Sequence, residues 1–236
     1  MHAVRKAVER RLVAIFSPII DWMIRNRVHP NTLSTIGFLI TMSSAAAFGF
    51  NHIRTAGVLI LLGGVFDLFD GRVARATELA SEFGAFYDST LDRISEIAVY
   101  VGLLSLYNDL RPELGDVQTI YAIMLAMAGS LMVSYTRVRA EVLGIDCKVG
   151  LMQRGERVVM IGLSALLFGG ESSGLALRLV IIAVAILTNV TVIHRIIWVY
   201  QHTRVAKAGS AGRGSRVADE RPGKQELDVG PREESR

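Results

Sequence analysis

Six mostly apolar stretches crowd into about 170 residues of this chain, and they leave few folds open. They cover roughly residues 33–50, 55–76, 81–107, 117–140, 157–169 and 175–200. A membrane-spanning helix needs roughly 20 predominantly apolar residues, and most of the stretches reach that length. Inside a bilayer only a helix or a closed barrel satisfies its own backbone groups, and stretches this long without strict alternation read as helices. Apolar residues make up 51% of the 236-residue chain, and its mean hydropathy is +0.38. Its one cysteine, Cys147, excludes an intrachain disulfide framework. The expected fold is therefore all-α and integral to a membrane, with six transmembrane helices.

The ends of the chain differ from its middle. Residues 3–27 mix Arg5, Lys6, Arg10 and Arg11 with Val8, Leu12, Ile15, Phe16, Ile19 and Ile20 at helical spacing. This predicts an amphipathic helix lying along the membrane surface. A signal peptide fits less well, because Pro18 and Asp21 interrupt the apolar run and no small-residue cleavage site follows. Residues 203–236 hold no aromatic residue and lack apolar periodicity, so a disordered polar tail is expected there. The organisation read from these contrasts is a juxtamembrane helix over 1–29, a six-helix domain over 30–202 and a tail over 203–236.

Charge fixes the expected orientation. Six spans put both termini on one side, and 23 of the 26 Lys and Arg residues then fall on that side. Only Arg54, Arg111 and Arg178 face the other. By the positive-inside rule both termini lie in the cytoplasm of a multi-pass cell-membrane protein.

Four aspartates interrupt this apolar pattern. Asp67 and Asp70 stand three apart near the end of the second stretch, and Asp88 and Asp92 stand four apart near the start of the third. Each spacing puts a pair on one face of its helix. A short loop joins the two helices, so all four carboxylates are expected to converge near the cytoplasmic face. A carboxylate at the centre of a membrane helix costs about 2.5–3.5 kcal/mol to insert, and four close together also repel. A hard divalent cation relieves both problems. Mg²⁺ or Mn²⁺ is expected, and four carboxylates suffice for two ions. Ion pairing with Arg72, Arg75 and Arg93 is the plainer alternative, but it leaves unexplained two helically spaced pairs mirrored around one loop. Gly71 and Gly84 allow close approach beside the pairs, and Arg75 suits a diphosphate. A divalent-cation transporter is a further alternative, although such sites usually lie at the bilayer midplane.

The run Asp67-x-x-Asp70-Gly71-x-x-Ala74-Arg75, eight residues, Gly84-x-x-x-Asp88-x-x-x-Asp92 resembles the full signature of the CDP-alcohol phosphotransferases. The resemblance spans about residues 30–200. It implies a membrane enzyme, usually a homodimer, that transfers a phosphatidyl-type group from CDP-diacylglycerol to an alcohol and releases CMP. Carried onto this chain, it makes Asp67, Asp70, Asp88 and Asp92 metal ligands and Asp92 also the general base. It makes Asn31, Thr32, Leu33, Ser34, Gly71, Arg75 and Ser81 contacts of the CDP-lipid.

A second polar group comes from Arg137, Arg154, Arg157 and Arg195 at cytoplasmic helix ends. Several guanidinium groups at one pocket suit an acceptor that carries its own phosphate. These segments resemble the bacterial phosphatidylinositol phosphate synthase branch, which implies inositol 1-phosphate as acceptor. Gly155 stands where that branch often has Pro. Glycerol 3-phosphate, giving phosphatidylglycerophosphate, is the main competitor. The histidines show no metal-ligand spacing, neither a P-loop nor a dinucleotide fingerprint occurs, and no nucleic-acid partner is expected.

Overall fold

Three helices begin with caps, and all three beginnings lie at the same end of the bundle. The computed structural model describes residues 2–110, 117–147, 149–170 and 174–219. Its helices are α1 (His2–Arg25), α2 (Pro30–Gly49), α3 (Ile53–Ala76), α4 (Glu82–Ser105), α5 (Val117–Val142), α6 (Arg154–Phe168) and α7 (Leu175–Asp219). A π-helical turn, Leu106–Leu110, extends α4. No strand occurs among the described residues. The all-helical fold expected from the apolar stretches is what forms.

The caps explain the boundaries. Pro30 sits in the first turn of α2, where its missing N–H costs nothing, and the His29 ring accepts from the Asn31 amide at 3.3 Å. Ser81 caps α4 by accepting from the Gly84 amide at 3.0 Å. The Gln153 amide donates to Glu156 at 3.0 Å, half of a capping box that starts α6 at Arg154, three residues earlier than its apolar pattern suggests.

Helix α2 packs between α3 and α4, α6 lies on the other side of α3, and α5 pairs with α7. Small residues allow the close approaches. A side chain at Gly57 would run into the backbone of Gly162 and Leu166, so α3 and α6 meet backbone to backbone there. The main core gathers Phe48, Ile60, Tyr100, Leu103, Ile123 and Ile181 from five helices. A smaller cluster joins Ile20 of α1 to Leu33, Phe69 and Val73, with the Phe16 and Phe69 rings edge to face at 5.4 Å. Helix α1 therefore buttresses the stretch of α3 that carries Asp67 and Asp70.

Three helices are long and apolar enough to cross a membrane by themselves: Pro30–Gly49, Val117–Val142 and Leu175–Thr203. Helices α3 and α4 have the length, but charged residues crowd one end of each. Helix α6 has only 15 residues. The last helix continues past the apolar region to Asp219, through a run containing the good helix formers Ala, Arg and Lys. The rest of the expected tail, 220–236, lies outside the described residues.

Candidate active site

The four aspartates lie toward the ends of α3 and α4 that the connection over 77–81 joins. Asp70 is the most buried, and it is held by α2: the Ser34 hydroxyl donates to Asp70 Oδ2 at 2.6 Å. Asp67 and Asp88 lie close enough for their charges to act on Asp70. The charges of Asp67 and Asp88 both act on Asp92. Carboxylates whose charges act on one another in this way are relieved by a cation placed among them.

One cation is supplied by the chain. Arg154, the first residue of α6, sets its Nη1 2.5 Å from Asp67 Oδ2 and 2.8 Å from Asp92 Oδ1. Arg93 adds a longer approach to Asp92 at 3.6 Å. The expected convergence of all four carboxylates on one point is corrected by this arrangement. Among the described residues no three His, Cys, Asp or Glu gather closely enough to hold an ion. The physical reason is local: Arg154 holds Asp67 and Asp92 apart around its own nitrogen, and Ser34 holds Asp70. The donor set itself, four carboxylates with a hydroxyl beside them, remains all-oxygen and fits a hard divalent cation.

The expected CDP contacts form a rim around these carboxylates. Asn31 and Ser81 meet over Gly84, where a side chain would come within 3.1 Å of Asn31 Oδ1 and 3.0 Å of Ser81 Oγ. Thr35 and Tyr87 tie the same two helices at 3.0 Å. The Arg75 guanidinium folds back over Gly71, 3.6 Å from where a side chain would begin, and remains exposed. Thr32 is exposed, and its amide donates to the His29 carbonyl. Leu33 is 2% exposed and packs in the α1 cluster, so its side chain faces away from the rim. Two helix N-termini, those of α2 and α4, meet at this rim, and α6 reaches the carboxylates from its own first residue. Partial positive charge from their N–H groups suits a diphosphate there.

The four arginines expected to gather at one acceptor pocket are not gathered. Arg154 sits among the aspartates. Arg157 is 1% exposed and donates from Nε to Glu96 Oε1 at 2.6 Å and from Nη2 to Glu96 Oε2 at 3.1 Å. Arg195 is also buried and donates to the carbonyls of Val149, at 2.9 Å, and Val133. It braces the connection between α5 and α6, where Gly150 takes a φ of +128° against Thr191. Arg137 pairs with Glu141 at 2.9 Å on the surface of α5. Burial of two of these cations demanded partners inside the protein, which the positive-inside count does not reveal.

Glu96 is the residue the sequence reading missed. Its signal was present: Glu96 follows Asp92 by one turn, as Arg157 follows Arg154. The two pairs form successive rungs between α4 and α6. A cavity of about 30 Å³ lies beside these rungs, lined by Asp67, Ser95, Glu96, Tyr100, Arg154 and Arg157 among others. It is large enough for a water molecule with polar partners.

Residues 27–193 match the sequence profile of the CDP-alcohol phosphatidyltransferases. The chain belongs to this family. It is therefore a transferase of phospholipid synthesis and a membrane protein. It is 36% identical over 170 residues to an archaetidylinositol phosphate synthase of Pyrococcus horikoshii, covering 72% of this chain and 82% of the relative. It is 33% identical over 199 residues to the enzyme of the same name from Methanothermobacter thermautotrophicus, covering 84% and 94%. The fold also superposes on crystal structures of Mycobacterium tuberculosis phosphatidylinositol phosphate synthase at 25% identity. With CDP-DAG bound, the TM-score is 0.71 over 79% of this chain and 94% of the other. In complex with manganese and citrate, it is 0.67 over 78% and 88%. The profile match covers both aspartate pairs, Ser34, Glu96 and Arg154.

Proposed function

We propose that this transferase moves a phosphatidyl group from CDP-diacylglycerol to inositol 1-phosphate, releasing CMP and leaving phosphatidylinositol phosphate in the membrane. The observation that carries the reading is that one guanidinium, that of Arg154, meets both Asp67 of α3 and Asp92 of α4, the helices that also carry Asp70 and Asp88. Such a site can handle a diphosphate donor and a phosphorylated acceptor together. The similar proteins bear names that differ in the lipid, archaetidyl or phosphatidyl, and share inositol phosphate, which favours this acceptor over glycerol 3-phosphate.

Asp67, Asp70, Asp88 and Asp92 would hold two divalent ions, Mg²⁺ or Mn²⁺. Manganese in one similar structure supports a divalent requirement. Ions held there would neutralise the diphosphate and make CMP a better leaving group. Asn31, Thr32, Ser34, Gly71, Arg75 and Ser81 receive the CDP part, with Leu33 contributing backbone only. Asp92 accepts the proton of the acceptor hydroxyl. The hydroxyl oxygen bonds to the phosphorus attached to the lipid, and the bond from that phosphorus to the CMP oxygen breaks. Arg154 receives the acceptor phosphate, Arg137 lies at the outer edge, and Arg157 and Arg195 hold the surrounding backbone.

In this reading α2–α7 each span the membrane, α3, α4 and α6 being shielded by the more apolar α2, α5 and α7. Helix α1, within the juxtamembrane segment expected over 1–29, lies at the interface, where exposed Ile15, Ile19 and Trp22 meet lipid. Both termini and the site face the cytoplasm, 203–236 is a polar appendage, and the enzyme works as a homodimer.

The test is CMP release by the purified protein in detergent with CDP-diacylglycerol, Mg²⁺ or Mn²⁺, and one acceptor at a time. Turnover with inositol 1-phosphate supports the reading. Turnover with glycerol 3-phosphate alone overturns the acceptor and keeps the mechanism. No metal-dependent CMP release with either acceptor overturns the reading.

A further inference from the structure

Two arginines one turn apart on α6 are used in opposite ways. Arg157 is enclosed and gives two nitrogens to the two oxygens of Glu96. Arg154 is about a quarter exposed and offers a single nitrogen, Nη1, to two carboxylates on different helices. Its Nε is buried and makes no hydrogen bond. A guanidinium normally presents a planar fork of five N–H donors to a matching anion. Arg157 is used that way. Arg154 serves as a point charge, with most of its donor capacity idle.

We propose that Arg154 is an exchangeable internal counter-cation: it fills the gap between Asp67 and Asp92 that a metal ion held by both would need, and metal binding releases it to capture the phosphate of the acceptor. The proposal rests on the metal and acceptor roles given above and adds a coupling between them. Magnesium binds carboxylate oxygens at about 2.0–2.1 Å. A nitrogen already 2.5 and 2.8 Å from those same oxygens excludes it. Once a divalent ion takes the carboxylates, Arg154 has lost its partners in a partly enclosed site. Its fork then suits a phosphate monoester. The Glu96–Arg157 rung pins α6 one turn away, so the release needs only side-chain rotation of Arg154. Coupling of this kind is reciprocal: metal strengthens anion binding, and anion strengthens metal binding.

The experiment titrates Mn²⁺ into the full-length protein in detergent and follows the free-ion EPR signal, with sulfate as the anion probe against chloride of equal ionic strength. Arg154→Met is expected to bind Mn²⁺ about tenfold more tightly than wild type, the size of one lost competing ion pair of moderate strength. Arg93→Met removes a nearby positive charge that does not occupy the gap, and a gain of no more than about twofold is expected from a partly exposed charge 3.6 Å from Asp92. Sulfate should tighten Mn²⁺ binding severalfold in wild type and leave Arg154→Met unchanged. The proposal is overturned if Arg154→Met binds Mn²⁺ no better than wild type, or no better than Arg93→Met. It is equally overturned if sulfate has no effect on the wild type, a measurement that requires no variant. Failure of the underlying function differs: it shows as absent CMP release, or as Mn²⁺ binding that survives Asp70→Asn. If Arg154→Met behaves as expected on metal yet leaves the KM for inositol 1-phosphate unchanged, the capture half of the proposal is overturned.

Discussion

Glu96→Gln tests how α4 and α6 are held together at the site. The substitution preserves side-chain volume and removes one charge. Arg157, 1% exposed, then keeps a full positive charge with no carboxylate partner. Breaking a buried ion pair from one side costs about 3–5 kcal/mol, because the remaining charge is stranded. For a chain of this size each kcal/mol moves the thermal midpoint by roughly 2–4 °C. A fall on the order of 10 °C is therefore expected, read by thermal unfolding of the purified protein in detergent. Glu96→Met combined with Arg157→Met removes both charges and should recover most of that loss. If Glu96→Gln shifts the midpoint by less than about 2 °C, or if the double variant falls as far as the sum of the singles, the buried rung does not bind the helices as argued.

Asp92→Asn should lower CMP release by about 10²–10⁴-fold, measured with saturating CDP-diacylglycerol and inositol 1-phosphate, as expected for loss of a general base. Ser34→Ala removes the 2.6 Å hydrogen bond to Asp70 and should weaken Mn²⁺ binding by roughly 10–100-fold in the same EPR titration, with the fold intact by circular dichroism. Gly57→Leu drives a side chain into the backbone of α6 and should reduce the yield of folded, monodisperse protein in detergent, or lower its midpoint by an amount corresponding to at least about 1–3 kcal/mol. Burial pushes the Cys147 thiol up from its ordinary range. Less thiolate then exists at neutral pH, so iodoacetamide should label the folded protein more slowly than the denatured one at pH 7.5. The folded protein should still lag at a pH where the denatured thiol has fully ionised.

What the sequence revealed depended on how local the determining physics was. The helix order and most boundaries follow from apolar length and capping, properties of a few consecutive residues. The start of α6 moved to Arg154 because its capping box involves Gln153 and Glu156, polar residues that an apolar count passes over. The aspartate pairs were legible because their spacing is a property of one helix. Their mutual arrangement was not, because Arg154 enters from a helix more than 60 residues away. The same applies to Arg157 and Arg195. A count of cytoplasmic arginines finds them, but which nitrogen meets which carbonyl or carboxylate depends on the packing of α4, α5, α6 and α7.

The residues that make α3 and α4 look poor as membrane helices are the ones that make the site. Asp67, Asp70, Arg72 and Arg75 occupy the last turns of α3, while Glu82, Asp88, Asp92 and Arg93 occupy the first half of α4. The apolar remainder of each helix packs in the main core. Lipid-exposed charges are costly, so the helices that carry them need cover. Helix α2 supplies it from one side, with Ser34 and Thr35 turned toward α3 and α4, and α6 supplies it from the other, with Arg154 and Arg157. The cover thus carries the polar groups that the carboxylates require. Replacing α6's two arginines by apolar residues would make the helix more apolar while leaving Asp67 and Glu96 without counter-charge and Asp92 with only the longer approach of Arg93. The polarity at the N-terminus of this 15-residue helix is therefore a consequence of what it covers, and the site and the bundle stabilise each other through the same two rungs.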